Sequence, residues 1–416
     1  MGLPGYIKHM SPSRSTGVVI ASVVMLAGLG VAAPTTASAD SAGSAVKQAM
    51  RATALGSVKS VYVSSVDTGE KSVSVKGIKP MIPASTMKLI TAFAAVKTLG
   101  ADYRFTTKVV RGNTPRSIVL VGGADPVLTR ADIAKLAQRT KAGLTRAGLT
   151  GTVTVNFDDD MFVAPTSAPG WEAGDMPTYI SAVRPLTILG SYSADTARAA
   201  AVVFVDALND QGVSAGVGQR ISAASNAERL GRFRGNDVAE AIRVLLPVSE
   251  NNVAELLFRL VAKKVTGKST WAAGSKAARS LLKAEGVWVK GVRVVDGSGL
   301  SYDNRLTART LTETLVLVAT EPELVSIRNA LPVAAESGTL RNRFGQPPAS
   351  CAQGEIIAKT GSLPMTVSTL AGITTSPNAP SRVFAVLVNN RPSSQTWSAT
   401  SAAIDAVAAA VHGCSR

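Results

Sequence analysis

The sequence predicts an α+β chain in which helices cover an antiparallel sheet. Alternating apolar residues flank a turn near residue 67, helical patterns succeed one another between residues 237 and 285, and strand patterns separated only by turns come near the end of the chain. Strands that succeed one another without intervening helices do not build a doubly wound parallel sheet. Of the 416 residues, 46% are hydrophobic and 17% charged, which excludes a disordered tail or a coiled coil. At ~100–200 residues per domain, this length accommodates two or three domains.

In chain order, residues 40–56 come first; they are small and polar and read as a helical arm. Ser60-Val61-Tyr62-Val63-Ser64-Ser65-Val66 and Ser72-Val73-Ser74-Val75 alternate around Asp67-Thr68-Gly69-Glu70, as a β-hairpin does. From Ser85 to Leu99 the apolar residues Met87, Leu89, Ile90, Phe93, Ala94 and Val96 fit a helix stopped by Gly100. Between residues 102 and 234 the character changes. Strands are expected over 117–121 and 152–157, an amphipathic helix over 130–147 and a buried strand over 200–205, while 163–185, rich in Pro, Gly and Trp, reads as an ordered loop. Helices resume over 237–246, 252–265 and 270–285. A strand is expected over 292–295, helices over 306–319 and 321–330, strands over 356–360, 367–373 and 382–389, and a closing helix over 397–411. The domain reading is therefore a catalytic domain made of 40–101 and 235–416, with 102–234 inserted as one or more smaller domains.

Residues 1–39 read as a signal peptide. Lys8 and Arg14 give a basic start, residues 17–33 carry no charge, and Ala37-Ser38-Ala39 offers small residues for cleavage before Asp40. The uncharged run falls short of the ~20 apolar residues that span a bilayer. The expectation is an exported, extracytoplasmic protein associated with the cell wall, with no transmembrane span in the mature chain. Without the leader, 42 Lys and Arg face 28 Asp and Glu, a net charge of +14. In an exported chain that charge points to anionic cell-envelope polymers, and no basic run interleaved with aromatics argues for nucleic acid. Cys351 and Cys414 are the only thiols, an even pair that reads as one disulfide, with two buried free thiols as the alternative.

The histidines are His9 and His412, and loss of His9 with the leader leaves one imidazole four residues from the end of the chain. A histidine-based zinc cage or a Ser-His-Asp triad would depend on that single ring. No metal or organic cofactor is expected. What remains for nucleophilic chemistry is serine with lysine. Ser85-Thr86-Met87-Lys88, Ser249-Glu250-Asn251 and Lys359-Thr360-Gly361-Ser362 occur in that order. Ser44-Ala45-Val46-Lys47 also fits S-x-x-K, so the pattern alone says little; Ser85, however, follows Pro83-Ala84 at a helix start, where residues three apart share a face. Serine needs a base to take its proton, and lysine serves only if burial or a second cation lowers its pKa. Lys88 is placed to be that base and Lys359 to be that cation.

These motifs resemble those of the penicillin-recognising serine enzymes, S-x-x-K, S-x-N and K-T-G. More closely, the chain resembles the S13 family of D-Ala-D-Ala carboxypeptidases and endopeptidases, similar to penicillin-binding protein 4. Gly122-Gly123-Ala124-Asp125-Pro126, Asn252-Val253-Ala254-Glu255, Asp296-Gly297-Ser298-Gly299-Leu300-Ser301, Leu331-Pro332-Val333 with Gly338-Thr339-Leu340, and Leu363 extend the likeness over most of the mature chain. The resemblance implies a penicillin-binding-protein and β-lactamase-like transpeptidase fold with an insert between the first two motifs. It implies cleavage of peptidoglycan stem peptides at D-Ala-D-Ala, action on D-Ala-diaminopimelate cross-bridges as a further activity, and covalent inhibition by β-lactam antibiotics. Position by position, Ser85 would form the acyl-enzyme, Lys88 would activate it, Ser249 would relay a proton to the leaving amine and Asn251 would bond the substrate amide. Lys359 and Thr360 would bind the terminal carboxylate on an edge strand, Gly361 would leave room for the substrate backbone, and the N–H groups of Ser85 and Ser362 would form the oxyanion hole. The insert, 102–234, is short for the two subdomains of larger members.

Two rivals remain at this level. A serine β-lactamase shares the acylation step, but the E-x-x-L-N string that some classes use to activate water is missing between Ser85 and Ser249. A non-catalytic wall-binding protein would keep the fold and use only its basic surface. Asp158-Asp159-Asp160 reads as a solvated turn, because consecutive carboxylates do not converge on a cation. Asp296-Gly297-Ser298-Gly299 reads as a structural loop. Trp171 and Tyr179 fit either a ligand groove or packing.

Overall fold

Period-two burial along the strands organises the fold. In this computed structural model, which describes residues 37–364, 366–376 and 380–414, the first elements are α1 (Ala37–Ala49), the hairpin β1 (Val58–Ser65) and β2 (Lys71–Val75), and α2 (Met87–Leu99). The last are β8 (Ile356–Leu363), β9 (Val367–Thr374), β10 (Arg382–Asn389) and α11 (Trp397–His412). These five strands form one antiparallel sheet in the order β2-β1-β10-β9-β8. Along β10, Val383, Ala385 and Leu387 enter one core while Phe384, Val386 and Val388 enter another. A strand buried on both faces needs a layer on each side. The first core is closed by α2 and by α6 (Val238–Val248), α7 (Asn251–Thr266), α8 (Trp271–Ala284) and α9 (Ala308–Thr320). The second is closed by α11, with Ile404, Val407 and Val411, and by Val46 of α1.

A second five-stranded sheet lies wholly within residues 107–233. It comprises β3 (Thr107–Arg111), β4 (Ser117–Val121), β5 (Val153–Asp158), β6 (Ala215–Arg220) and β7 (Arg229–Phe233) in the order β6-β5-β4-β3-β7. β5 runs parallel to β4 and β6, whereas β3 is antiparallel to β4 and β7. Helices α3 (Arg130–Arg146) and α5 (Thr196–Asn209) supply its core with Ile133, Leu136, Ala200 and Phe204. Thr129 and Asp132 form a reciprocal capping box that starts α3.

Several sequence expectations need correction. Residues 200–205, expected as a strand, are the middle of α5: Ala197, Ala200, Ala201, Phe204, Val205 and Leu208 are buried at helical spacing, and the Asp195 carboxylate caps the helix by accepting from Arg198 N–H. A short apolar run cannot distinguish the two. Residues 292–295 form only an isolated bridge, Arg293 with Arg305. The helix expected over 321–330 is a 3₁₀ turn, Pro322–Leu324, followed by α10 (Val325–Asn329). The loop 163–185 contains the short α4 (Asp175–Thr178). Asp159 is not in a solvated turn: it is buried, 2.8 Å from Arg184 and paired with Arg220, which also grips Asp195 at 2.7 Å. The signal segment expected at 1–39 lies outside the described residues but for its last three positions.

Two ties bind distant segments of the chain. Arg259 of α7 is fully buried, stacked 4.2 Å from the Trp271 ring, and donates to the carbonyls of Ser269, Pro165, Val183 and Val163. It thereby fastens the 163–183 loop to the helical layer. Cys351 and Cys414 are joined by a disulfide, Cα to Cα 6.2 Å, which links the turn Ala349–Ala352 to the end of α11. Among the described residues, no helix is long and apolar enough to cross a membrane.

Candidate active site

Ser85 sits on the 3₁₀ turn Ala84–Thr86 that leads into α2. The turn is tightly held. Ala84 takes a left-handed φ of 47°, and the Pro83 carbonyl accepts from Thr86 Oγ1 at 2.6 Å and Thr369 Oγ1 at 2.9 Å. Two glycines press against it. At Gly299, with φ +82°, a Cβ would lie 1.9 Å from the Ala84 carbonyl oxygen. At Gly361 a Cβ would lie 2.3 Å from Thr369 Oγ1 and 2.9 Å from Ser85 N. The space that Gly361 opens therefore faces the serine's own backbone, which brings β8 against the turn.

Lys88, one helical turn on, is fully buried. Its ammonium donates to Ser85 Oγ at 2.9 Å, Asn251 Oδ1 at 2.7 Å and the Ser298 carbonyl at 2.8 Å. Those three acceptors use all its N–H bonds. Burial pulls its pKa from 10.5 down to about 8, against the opposing pull of Asp296, Glu250 and Glu255. Lys359 is also fully buried and donates to the Thr360 carbonyl at 2.8 Å. Burial holds it well below its ordinary value, and Lys88 pushes the same way.

The 296–301 loop fixes the Ser298 carbonyl. Glu255 accepts from Gly297 N–H, Ser298 N–H at 2.7 Å and the Trp271 indole at 3.0 Å. Asp296 accepts from Gly299 N–H, Ser301 N–H, the Asn304 amide and the Trp171 indole. Both acids are completely buried. Burial beside Asp296 raises Glu255 to about 7, against the hydrogen bonds it accepts. The structural reading of this loop holds, and Trp171 serves that network.

Asn251 opens α7, and its amide donates to the Tyr179 carbonyl at 2.8 Å while Ser181 N–H donates to Asn252 Oδ1. Glu250, the middle residue of its motif, is the helix cap, accepting from the N–H groups of Asn252 and Val253. Ser249 caps α6 in the left-handed region, φ 61°. Thr360 meets Thr339 hydroxyl to hydroxyl at 2.8 Å on β8, at the edge of the sheet.

Ser85, Asn251 and Ser362 line a cavity of about 350 Å³. Tyr179, Leu300, Leu363 and Pro364 give it apolar walls, and Arg391 and Trp397 complete it. Thus Ser85, Lys88 and Asn251 are joined by hydrogen bonds, Ser362 faces the same space, and Lys359 stands within electrostatic reach of Lys88. Ser249 is linked to the set through the chain, two residues before Asn251. Arg391 and Trp397 carry no sequence signal, because only the fold brings the β10–α11 connection to the end of β8. A serine whose hydroxyl touches a buried lysine of pKa about 8, beside a pocket, is suited to acyl transfer.

A family model described as the D-Ala-D-Ala carboxypeptidase 3 (S13) family matches residues 42–193 and 184–411. Carboxypeptidase DacB of Mycolicibacterium smegmatis is 32% identical over 380 residues, covering 85% of this chain and 80% of that protein. D-alanyl-D-alanine carboxypeptidase of Actinomadura sp. strain R39 is 27% identical, covering 77% of this chain and 76% of its own. The crystal structure of penicillin binding protein 4 from Haemophilus influenzae superposes with a TM-score of 0.74 at 20% identity over 87% of this chain and 97% of that one. A second structure of it, complexed with a β-lactam, gives 0.68 at 20% identity, again over 87% of this chain and 97% of that one. These likenesses carry the fold.

Proposed function

The chain belongs to the D-Ala-D-Ala carboxypeptidase 3 (S13) family, and from that premise we propose that it is a serine D-Ala-D-Ala carboxypeptidase of peptidoglycan stem peptides. The observation that carries the reading is the buried Lys88 ammonium 2.9 Å from Ser85 Oγ. Neutral Lys88 takes the Ser85 proton as Oγ attacks the carbonyl of the penultimate D-alanine. The tetrahedral oxyanion lies between the N–H groups of Ser85 and Ser362, a contribution of ~3–4 kcal/mol per donor in hydrolases of this kind. The C–N bond breaks, the leaving D-alanine amine receives a proton through Ser249, and an ester on Ser85 remains. Water attacks that ester, and Ser85 recovers its proton. Lys359 and Thr360 bind the terminal carboxylate, and Asn251 bonds the substrate amide. The same peptidyl ester forms from a cross-bridge when the leaving amine is a side chain, whereas a β-lactam, whose ring C–N bond breaks on attack, leaves its own acyl ester on Ser85 with the amine still attached to it.

The domain reading, 40–101 with 235–416 around an inserted 102–234, is supported by the separate sheet built from residues 107–233. Export to the wall and attraction to its anionic polymers rest on the leader pattern and the +14 charge. Mass spectrometry of the intact protein after incubation with penicillin tests the mechanism. One covalent adduct is expected on the unaltered chain and none on Ser85→Ala, which should also release no D-alanine from a pentapeptide. An adduct or D-alanine release from Ser85→Ala would overturn the assignment.

A further inference from the structure

The cavity that holds Ser85 continues past the end of β8. Leu363 and Pro364 close that strand, and beside them the lining passes to Trp397. Trp397 also lines a second cavity, of about 250 Å³, between the first turns of α11 and residues 342–349. Its indole is thus a wall common to both spaces, and it is 52% exposed. A large aromatic face open between two concavities offers a flat surface on which the apolar face of a ring can stack.

The second cavity has a rigid, self-satisfied floor. Arg343 holds Asp405 through two hydrogen bonds, at 2.7 and 2.9 Å, and also donates to the Ser401 carbonyl, while Phe344 N–H donates to Asp405. With that ion pair engaged internally, the polar groups facing outward are neutral: the side chains of Asn342, Gln346 and Ser398. An open indole face beside amides and a hydroxyl matches the apolar face, hydroxyls and acetamido group of an N-acetylated amino sugar, not an ion.

Position gives the same answer, and here the inference rests on the carboxypeptidase reading. If Lys359 and Thr360 bind the terminal carboxylate, a peptide laid along β8 reaches Pro364 after ~13–17 Å at ~3.3 Å per residue. An extended stem of about five residues spans the same length. The sugar to which the stem is attached then arrives at Trp397. We propose that Trp397 and the 342–349 loop form a subsite for the N-acetylated amino sugar carrying the stem peptide, so that the protein reads glycan and peptide together.

The test compares D-alanine release from a pentapeptide and from the same pentapeptide attached to its N-acetylglucosamine–N-acetylmuramic acid disaccharide. The unaltered protein should show a KM about three- to tenfold lower for the glycan-bearing substrate, the size of one aromatic stacking contact. Trp397→Ala should bring the ratio to about one, and Trp397→Phe should restore part of it. Equal KM values in the unaltered protein, or an equal rise in both with Trp397→Ala, would refute the subsite. Failure to release D-alanine from either substrate would instead fault the carboxypeptidase reading. The disaccharide alone, followed by saturation-transfer NMR, then reads the subsite directly. Transfer that disappears in Trp397→Ala supports it, and absence of transfer to the unaltered protein overturns it.

Discussion

Acylation should switch on as pH rises through about 8, because Lys88, the base proposed for Ser85, accepts the proton only when neutral. The perturbation is pH itself. With a pKa of about 8, the neutral fraction of Lys88 is about 1% at pH 6, about 9% at pH 7 and about 90% at pH 9. The second-order rate of acylation should therefore climb about tenfold from pH 7 to pH 9 and fall about tenfold from pH 7 to pH 6. The groups facing Lys88 set this midpoint. Burial lowers it, while Asp296, Glu250 and Glu255 favour the charged form. Stopped-flow mixing with a chromogenic cephalosporin, whose carboxylate stays ionised throughout, measures the rate in a single turnover. Asp296→Asn should move the midpoint to lower pH, and a midpoint is readable even if the amplitude drops. A flat profile between pH 6 and 9, or a rate that falls as pH rises through about 8, would refute Lys88 as the neutral base.

The packing sets three further outcomes. Gly299→Ala places a Cβ 1.9 Å from the Ala84 carbonyl at a φ of +82°; a strain of ~1–3 kcal/mol should slow penicillin labelling about five- to 150-fold in protein whose circular dichroism is unchanged. Arg259→Met removes the guanidinium that satisfies four carbonyls and should lower stability by ~3–5 kcal/mol in a denaturant titration, raising KM more than it lowers kcat because the 163–183 loop loosens. Reduction of the Cys351–Cys414 bond, which closes a 63-residue separation, should cost ~4 kcal/mol, visible as a lower melting temperature with reductant present.

Local signals make much of the fold readable. The hairpin at 58–75, the three strands at 356–389, and α2 stopped by Gly100 each carry their period and their terminator within a few residues. The Ser85–Lys88 contact is readable for the same reason, since helical spacing fixes it. What escapes depends on partners distant in sequence. β3, β6 and β7 are short strands made recognisable only by their neighbours, as in the pairing of Val109 with Gly231. Residues 200–205 carry β-branched and aromatic side chains, yet α3 and the sheet offer a stripe, so α5 wins. Arg391 and Trp397 reach the site only because β10 pairs beside β9 and delivers them to the end of β8.

One helix carries two lysines with opposite fates, and the difference explains why acids surround the site without touching Lys88. Lys97 meets Glu323, Glu285 and Glu321 directly, at 2.8–3.1 Å; burial pulls its pKa down, but the three carboxylates outweigh it and hold the amine well above its ordinary value. Such a lysine cannot take a proton near neutral pH. Lys88 lies at the other end of the same helix, close to Glu255 and Asp296, yet both carboxylates are occupied by backbone N–H groups of the 296–301 loop and by two indoles. What they present to Lys88 is the Ser298 carbonyl, a neutral acceptor held in place by charge. The dipole orients the amine toward Ser85, while the negative charge stays one layer back, strong enough to keep the pKa from collapsing as that of Lys359 does and too distant to restore it to 10.5. Interposing a backbone loop between acid and amine is thus how a fully buried lysine comes to rest at about 8.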